Sequence, residues 1–188
     1  MEVYTTEEQQ VEVIKSWWKE NGTSVLAGTV IGLVGLFAWR YYNELQQTNQ
    51  EAASQAYNAM TAQLAKGDDA ALEQAKSFIS AHQGDAYAEL AALQLAAAAV
   101  KAGKLDLAAE QLTQVAANGD ESIKPIAALR LARVLKDQGK ADEALAQLGK
   151  INNDAFKAQV AEVRGDVLLG QGKPEEARDA YQVAADAG

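Results

Sequence analysis

Residues 92–104, ALQLAAAAVKAGK, return thirty-six residues later as residues 128–140, ALRLARVLKDQGK. A looser copy stands at residues 161–173, AEVRGDVLLGQGK. Glycine punctuates the chain at Gly67, Gly103, Gly139 and Gly172, at intervals of 36, 36 and 33 residues. Five residues beyond the last three glycines stands alanine: Ala108, Ala144 and Ala177. Nine beyond stands a larger residue: Leu112, Leu148 and Tyr181. Each position has a physical use. Glycine takes the left-handed backbone that ends a first helix. A small residue in the second helix lets it pack close to the first. A large residue one turn on fills the space between neighbouring pairs.

A period of 33–36 residues with glycine between paired helices is the pattern of a tetratricopeptide-like array. A generic alanine-rich bundle has no reason to hold glycine and alanine in one register three times. Four helix pairs are expected, at about 45–82, 85–118, 122–150 and 154–188. The first is the least regular, with Leu72 where alanine is expected and Lys76 where a large apolar residue is. Ala53, Ala56, Tyr57, Met60 and Leu64 recur at helical spacing and form its apolar face. Asp85 and Ser122 are expected to cap helices reaching Ala102 and Gln138, and Pro174-Glu175-Glu176 to open the last one. Two turns, 117–120 and 152–154, separate pairs. In the helix that opens the last pair, Arg164 and Asp166 are expected to face solvent or a partner. Beyond residue 50, alanine, leucine, glutamine, glutamate and lysine dominate, and few β-branched or aromatic runs could build strands. The expected fold class is all-α: an α-solenoid behind an N-terminal helix of a different kind.

That N-terminal helix is read from residues 21–39, NGTSVLAGTVIGLVGLFAW, which carry no charge. A hydrocarbon layer of ~30 Å takes about 20 helical residues, and a helix satisfies its own backbone there. Trp17 and Trp18 precede the run, and Trp39, Tyr41 and Tyr42 end it, the placement of interfacial aromatic belts. A buried core helix is usually shorter and lacks such flanks. A cleaved signal peptide is disfavoured by the acidic lead and by the absence of a small-x-small site. The expected organisation is a tail at residues 1–20, a single transmembrane helix at 21–42, and a tetratricopeptide-like domain at 43–188. The run is read as starting its helix near Asn21, and continuing into the first soluble helix or breaking softly near Thr48-Asn49. Lys15 and Lys19 before the run against Arg40 after it favour a cytoplasmic N-terminus. Gly28 and Gly32 form a GxxxG with Gly35 close by, a face that lets a second helix approach in lipid.

Charge and chemistry exclude several functions. Residues 41–188 hold 21 acidic and 14 basic residues. An acidic domain does not meet nucleic-acid phosphates, so no nucleic-acid partner is expected. The chain has no cysteine and one histidine, His82, near a helix end. Asp68-Asp69 and Glu175-Glu176 sit at helix starts, where acids complement the dipole. Phosphate-binding, nucleophile-elbow and metalloprotease motifs are missing. No enzyme, cofactor or metal site is expected.

Met1-Glu2-Val3-Tyr4, Gln10-Val11-Glu12, Trp17-Trp18, Glu20-Asn21-Gly22, the span from Gly28 to Gly35 and Trp39-Arg40-Tyr41 together resemble the YfgM-type ancillary subunits of the bacterial Sec translocon. So do residues 129–134, LRLARV, and 164–169, RGDVLL. The resemblance covers most of the chain, and members of that family are expected to continue past its last helix. It implies an inner-membrane protein with a periplasmic domain. The partners implied are the SecYEG translocon, a membrane-anchored periplasmic peptidyl-prolyl isomerase-type (PpiD-like) chaperone, and membrane lipid. The role implied is passing translocated chains to periplasmic chaperones. From the residues themselves, Gly28, Gly32 and Gly35 are candidates for helix contact in the membrane. Gln94, Arg130 and Arg133, on the first helices of the pairs, are candidates for a partner groove. A membrane-anchored regulator acting through the acidic tail is the competing function, and a self-assembling scaffold a third.

Overall fold

The computed structural model describes residues 7–188, with side chains from Gln10 onward. Met1 to Tyr4 and the side chains of Glu7 and Glu8 lie outside what it describes. Eight α-helices follow one another, with no strand among the described residues: α1 (Glu7–Leu64), α2 (Asp69–Ala81), α3 (Ala86–Lys101), α4 (Leu105–Asn118), α5 (Lys124–Asp137), α6 (Ala141–Leu148), α7 (Lys157–Gly170) and α8 (Pro174–Ala187). A short 3₁₀ turn, Asp154–Phe156, leads into α7. The chain divides after Ala52 into two compact units.

The first unit is a single helical rod. Val25, Leu26, Val30, Ile31, Leu33, Val34, Leu36 and Phe37 all face outward, Ile31 with 71% of its surface exposed. A core helix of a water-soluble domain would bury them. The rod holds the one described stretch long and apolar enough to cross a membrane. The helix does not start at Asn21. It is already running from Glu7, and the Asn21 side-chain Nδ2 donates back to the Trp17 carbonyl at 3.1 Å. Gly22 is tolerated mid-helix because the Trp18 indole lies over it; a Cβ there would stand 3.2 Å from Nε1. Nor is there a break at Thr48-Asn49, where the Thr48 hydroxyl turns back on the Glu44 carbonyl at 2.9 Å instead.

The second unit stacks helix pairs. The end of α1 with α2 is the first pair, followed by α3–α4, α5–α6 and α7–α8. Gly103, Gly139 and Gly172 have φ of +73°, +76° and +74°. Each closes its first helix in one way. The N–H of the next lysine reaches back five residues: Lys104 to the Ala99 carbonyl (2.8 Å), Lys140 to Leu135 (2.8 Å) and Lys173 to Leu168 (3.0 Å). That is the Schellman closure, which satisfies carbonyls the helix leaves orphaned. The first pair departs from it. Gly67 has φ +70°, but the turn is held by Asp68, whose carboxylate accepts from the Ala71 N–H at 2.8 Å.

The register alanines Ala108, Ala144 and Ala177 are fully buried, as are Leu112 and Leu148. One core runs through the middle of the unit, from Ala92 and Leu93 through Leu112, Leu131 and Leu148 to Val163 and Val167. A second core joins Met60 and Leu64 of α1 to Leu72, Ala75 and Phe78 of α2 and Leu95 of α3. Of the apolar face expected on α1, Ala53, Met60 and Leu64 are buried and Tyr57 packs against that core, but Ala56 is exposed.

Three local expectations change. Ser122 does not cap α5. Its N–H and hydroxyl both go to the Asp120 carboxylate, at 2.9 and 2.6 Å, and Ile123 takes the cap position. Asp85 stands at the cap of α3 without a side-chain capping bond, its carboxylate facing His82 Nδ1 at 3.4 Å. Asp166 is drawn inward, where Tyr181 donates its hydroxyl to it at 2.9 Å, while Arg164 stays exposed.

Candidate partner surfaces

On the first unit, Gly28, Gly32 and Gly35 are bare. A Cβ built on any of them meets no heavy atom within 4 Å. Gly28 and Gly32 are one helical turn apart and share a face. The Thr29 hydroxyl is internally satisfied on the Val25 carbonyl at 2.8 Å. What the rod offers there is shape: a strip of small residues with open space above it.

On the second unit, the first helices present a common stripe. On α3 it is Leu90, Gln94, Ala97 and Lys101, all exposed. On α5 the same register positions are Ile126, Arg130, Arg133 and Asp137, of which the last three are exposed and Ile126 is half-buried. Gln94 lines a cleft of about 310 Å³ together with Leu64, Ala98 and Lys101. Arg130 and Arg133, at the registers of Gln94 and Ala97, stand in the open. Gln94, Arg130 and Arg133, the candidates for a partner groove, are thus all exposed. The stripe does not continue onto α7. At the register of Gln94 and Arg130 stands Val163, which is wholly buried. At the register of the buried Leu95 and Leu131 stands the exposed Arg164. The change follows α6, which has 8 residues against 14 in α4.

The early end of α6 also opens a larger cleft, about 840 Å³, between α4, α5 and the segment 150–154. Its floor includes Ala116, Ala128, Leu131 and Ile151. Its rim balances charge, with Glu121 paired to Lys124 at 2.6 Å. No spacing in the sequence marked this cleft; the shorter interval between Gly139 and Gly172 was its only trace.

The titrating groups that depart from ordinary behaviour serve structure. The hydroxyl and N–H of Ser122 hold the Asp120 carboxyl below the usual range. The bond to Asp166 pushes the Tyr181 phenol up, helped by burial. The bond to Glu73 raises the Lys76 ammonium. His82 stacks on Phe78 with centroids 4.3 Å apart. Among the described residues no three metal-ligating side chains converge.

Comparison with known proteins covers both units. Residues 15–188 match a family described as a tetratricopeptide repeat-like domain. The chain is 39% identical over 184 residues to the ancillary SecYEG translocon subunit of Escherichia coli (strain K12), spanning 97% of this chain and 88% of that one. It is 30% identical over 183 residues to the protein of the same name from Haemophilus influenzae, spanning 97% and 90%. With that of Aggregatibacter actinomycetemcomitans it shares 33% over 181 residues, spanning 96% and 89%.

Proposed function

Because the chain belongs to the family of ancillary SecYEG translocon subunits, we propose that it is a non-enzymatic accessory of the Sec translocon, held in the inner membrane by α1. The observation that carries this is the extent of the likeness. It spans the apolar run as well as the helix pairs, so anchor and docking unit are shared together. Association with SecYEG is the core of the proposal. The N-terminus faces the cytoplasm and the helix pairs face the periplasm, in keeping with the lysines ahead of the apolar run. There the pairs offer an extended surface to other proteins, and the anchor raises their effective concentration for membrane partners. The finer role is passing emerging chains to a membrane-anchored periplasmic chaperone of the prolyl-isomerase type. Gly28, Gly32 and Gly35 form the helix contact within the bilayer, and Gln94, Arg130 and Arg133 the partner face outside it.

Crosslinking in intact membranes followed by mass spectrometry tests the proposal. Capture of SecYEG subunits by the full chain supports it, and Gly32→Ile should weaken that capture. A chain that captures no translocon subunit, while its abundance is normal, refutes it. A reporter fused to the C-terminus that works only in the cytoplasm would reverse the orientation alone.

A further inference from the structure

The two layers of the second unit differ in charge. The second helices are all acidic. Helix α2 carries Asp69 and Glu73 against Lys76, α4 carries Asp106 and Glu110 with no base, and α6 carries Asp142 and Glu143 with no base. Helix α8 carries four acids against Arg178 alone. Most of these acids stand in the first turn, where the helix dipole favours them. The first helices α3 and α7 balance, and α5 is strongly basic, with Lys124, Arg130, Arg133 and Lys136 against Asp137. An acidic domain thus has one cationic helix at its middle.

Two of the four cations on α5 are spoken for. Lys124 pairs with Glu121 at 2.6 Å, and Lys136 lies 3.6 Å from Asp137. Arg130 and Arg133 form no ion pair with any described residue. They lie three residues apart on one face, where like charges repel and weaken the helix. No ion pair of the fold uses them. At the N-terminal end of the same stripe stand Ile126, half-buried, and Leu90 of α3, 38% exposed. On α5 the stripe therefore sets two guanidinium groups outside any ion pair beside one half-buried apolar side chain, Ile126.

Resting on the proposed partner face above, we propose that this face takes an acidic protein segment: carboxylates spaced to meet Arg130 and Arg133, with an apolar side chain reaching Ile126. Charge complementarity selects that occupant. Guanidinium groups bind carboxylates in a planar two-pronged geometry. The acidic second helices repel the same segment from their own surfaces, which adds selectivity for α5. An anionic lipid surface fits less well, because the acids of the neighbouring helices would be carried toward it as well.

The test uses the full chain in nanodiscs of zwitterionic lipid. The probe is a fluorescently labelled glutamate-rich peptide bearing leucine at one end, compared with the same peptide carrying glutamine at every glutamate. Fluorescence anisotropy is read at low and at high salt. The glutamate peptide should bind at low salt and weaken as salt screens the pair, and the glutamine peptide should bind at least about tenfold more weakly. Arg130→Glu with Arg133→Glu should lower affinity about tenfold or more. Arg130→Lys with Arg133→Lys should retain part of the binding, and Arg178→Glu on α8 should change nothing. Both arginines are exposed, so the helical circular dichroism of each variant should match the parent. Equal binding of the two peptides overturns the proposal. So does indifference to the double reversal, an equal loss with Arg178→Glu, or no binding at all. Arginine-dependent binding to vesicles containing phosphatidylglycerol, without peptide binding, overturns it in favour of lipid. Capture of SecYEG is measured separately in membranes, so failure here leaves the translocon association standing.

Discussion

Glycine does opposite work in the two units. In the apolar rod, Gly28, Gly32 and Gly35 look onto empty space. In the last helix pair, Gly165 also sits mid-helix, but the space is full. A Cβ there would come 2.6 Å from Cδ1 and 2.8 Å from Cζ of Tyr181. The register explains it. Gly165 occupies the place of Ala96 and Ala132, and Tyr181 the place of Leu112 and Leu148. The fourth pair has exchanged an alanine–leucine contact for a glycine–tyrosine one. What one side gained in volume the other gave up, as dense packing requires. A glycine inside a helix weakens it by about 1 kcal/mol relative to alanine. In the repeat unit that loss is recovered within the chain; in the rod nothing in the chain recovers it, as expected where the neighbour is another helix.

Substitutions can break the comparison, and thermal unfolding of the full chain in detergent reads them. Leu148→Ala, at the register of Tyr181 in the third pair, empties a fully buried site and should cost about 3 kcal/mol. Gly165→Ala should cost about 2 kcal/mol, because the ring must move. Gly165→Ala with Tyr181→Leu rebuilds the contact of the second and third pairs and should recover most of that loss. If the double variant is no better than the single one, the exchange is not a matched pair. Gly139→Ala forces a side chain into φ +76° and should cost about 1 kcal/mol, although no atom crowds it.

Smaller effects sharpen the contrast. The Tyr181 phenol is raised in the folded chain, so the stability it lends is whole below the usual tyrosine range and is lost as pH climbs through and beyond about 10. Alkaline melting of the parent should therefore fall more steeply with pH than that of Tyr181→Phe. The smallest effect is expected in the rod. Gly32→Ala should leave unfolding of the helix pairs unchanged within about 0.5 kcal/mol, since no atom lies against it. A loss matching that of Gly165→Ala would mean that the open strip is packed after all.

The register residues were legible because each is demanded by sterics that recur in every pair: glycine for the left-handed turn, alanine for close approach, leucine for the gap. Gln94, Arg130 and Arg133 are exposed in the folded unit. The cap at Ser122 was not legible. Ser122 and Asp120 each have a side chain able to cap or to bond its neighbour, and only the three-dimensional turn decides between them. Asp166 was misjudged for the same reason: its partner Tyr181 lies across the pair. The charge separation between layers was latent in the sequence, but it became visible only when each residue had a helix.

Local order settled much of this protein in advance: an uncharged run of nineteen residues, a glycine period of about thirty-six, and the small and large residues tied to it. Those features act over a turn or two of chain, where sterics and backbone hydrogen bonding leave few choices. Contacts between distant residues needed the folded unit. The closing of Gly165 over Tyr181, the turning of Val163 into the core and the unpaired state of the two arginines depend on how neighbouring pairs stack. Stacking is fixed by the volume and direction of side chains that meet only in the folded protein.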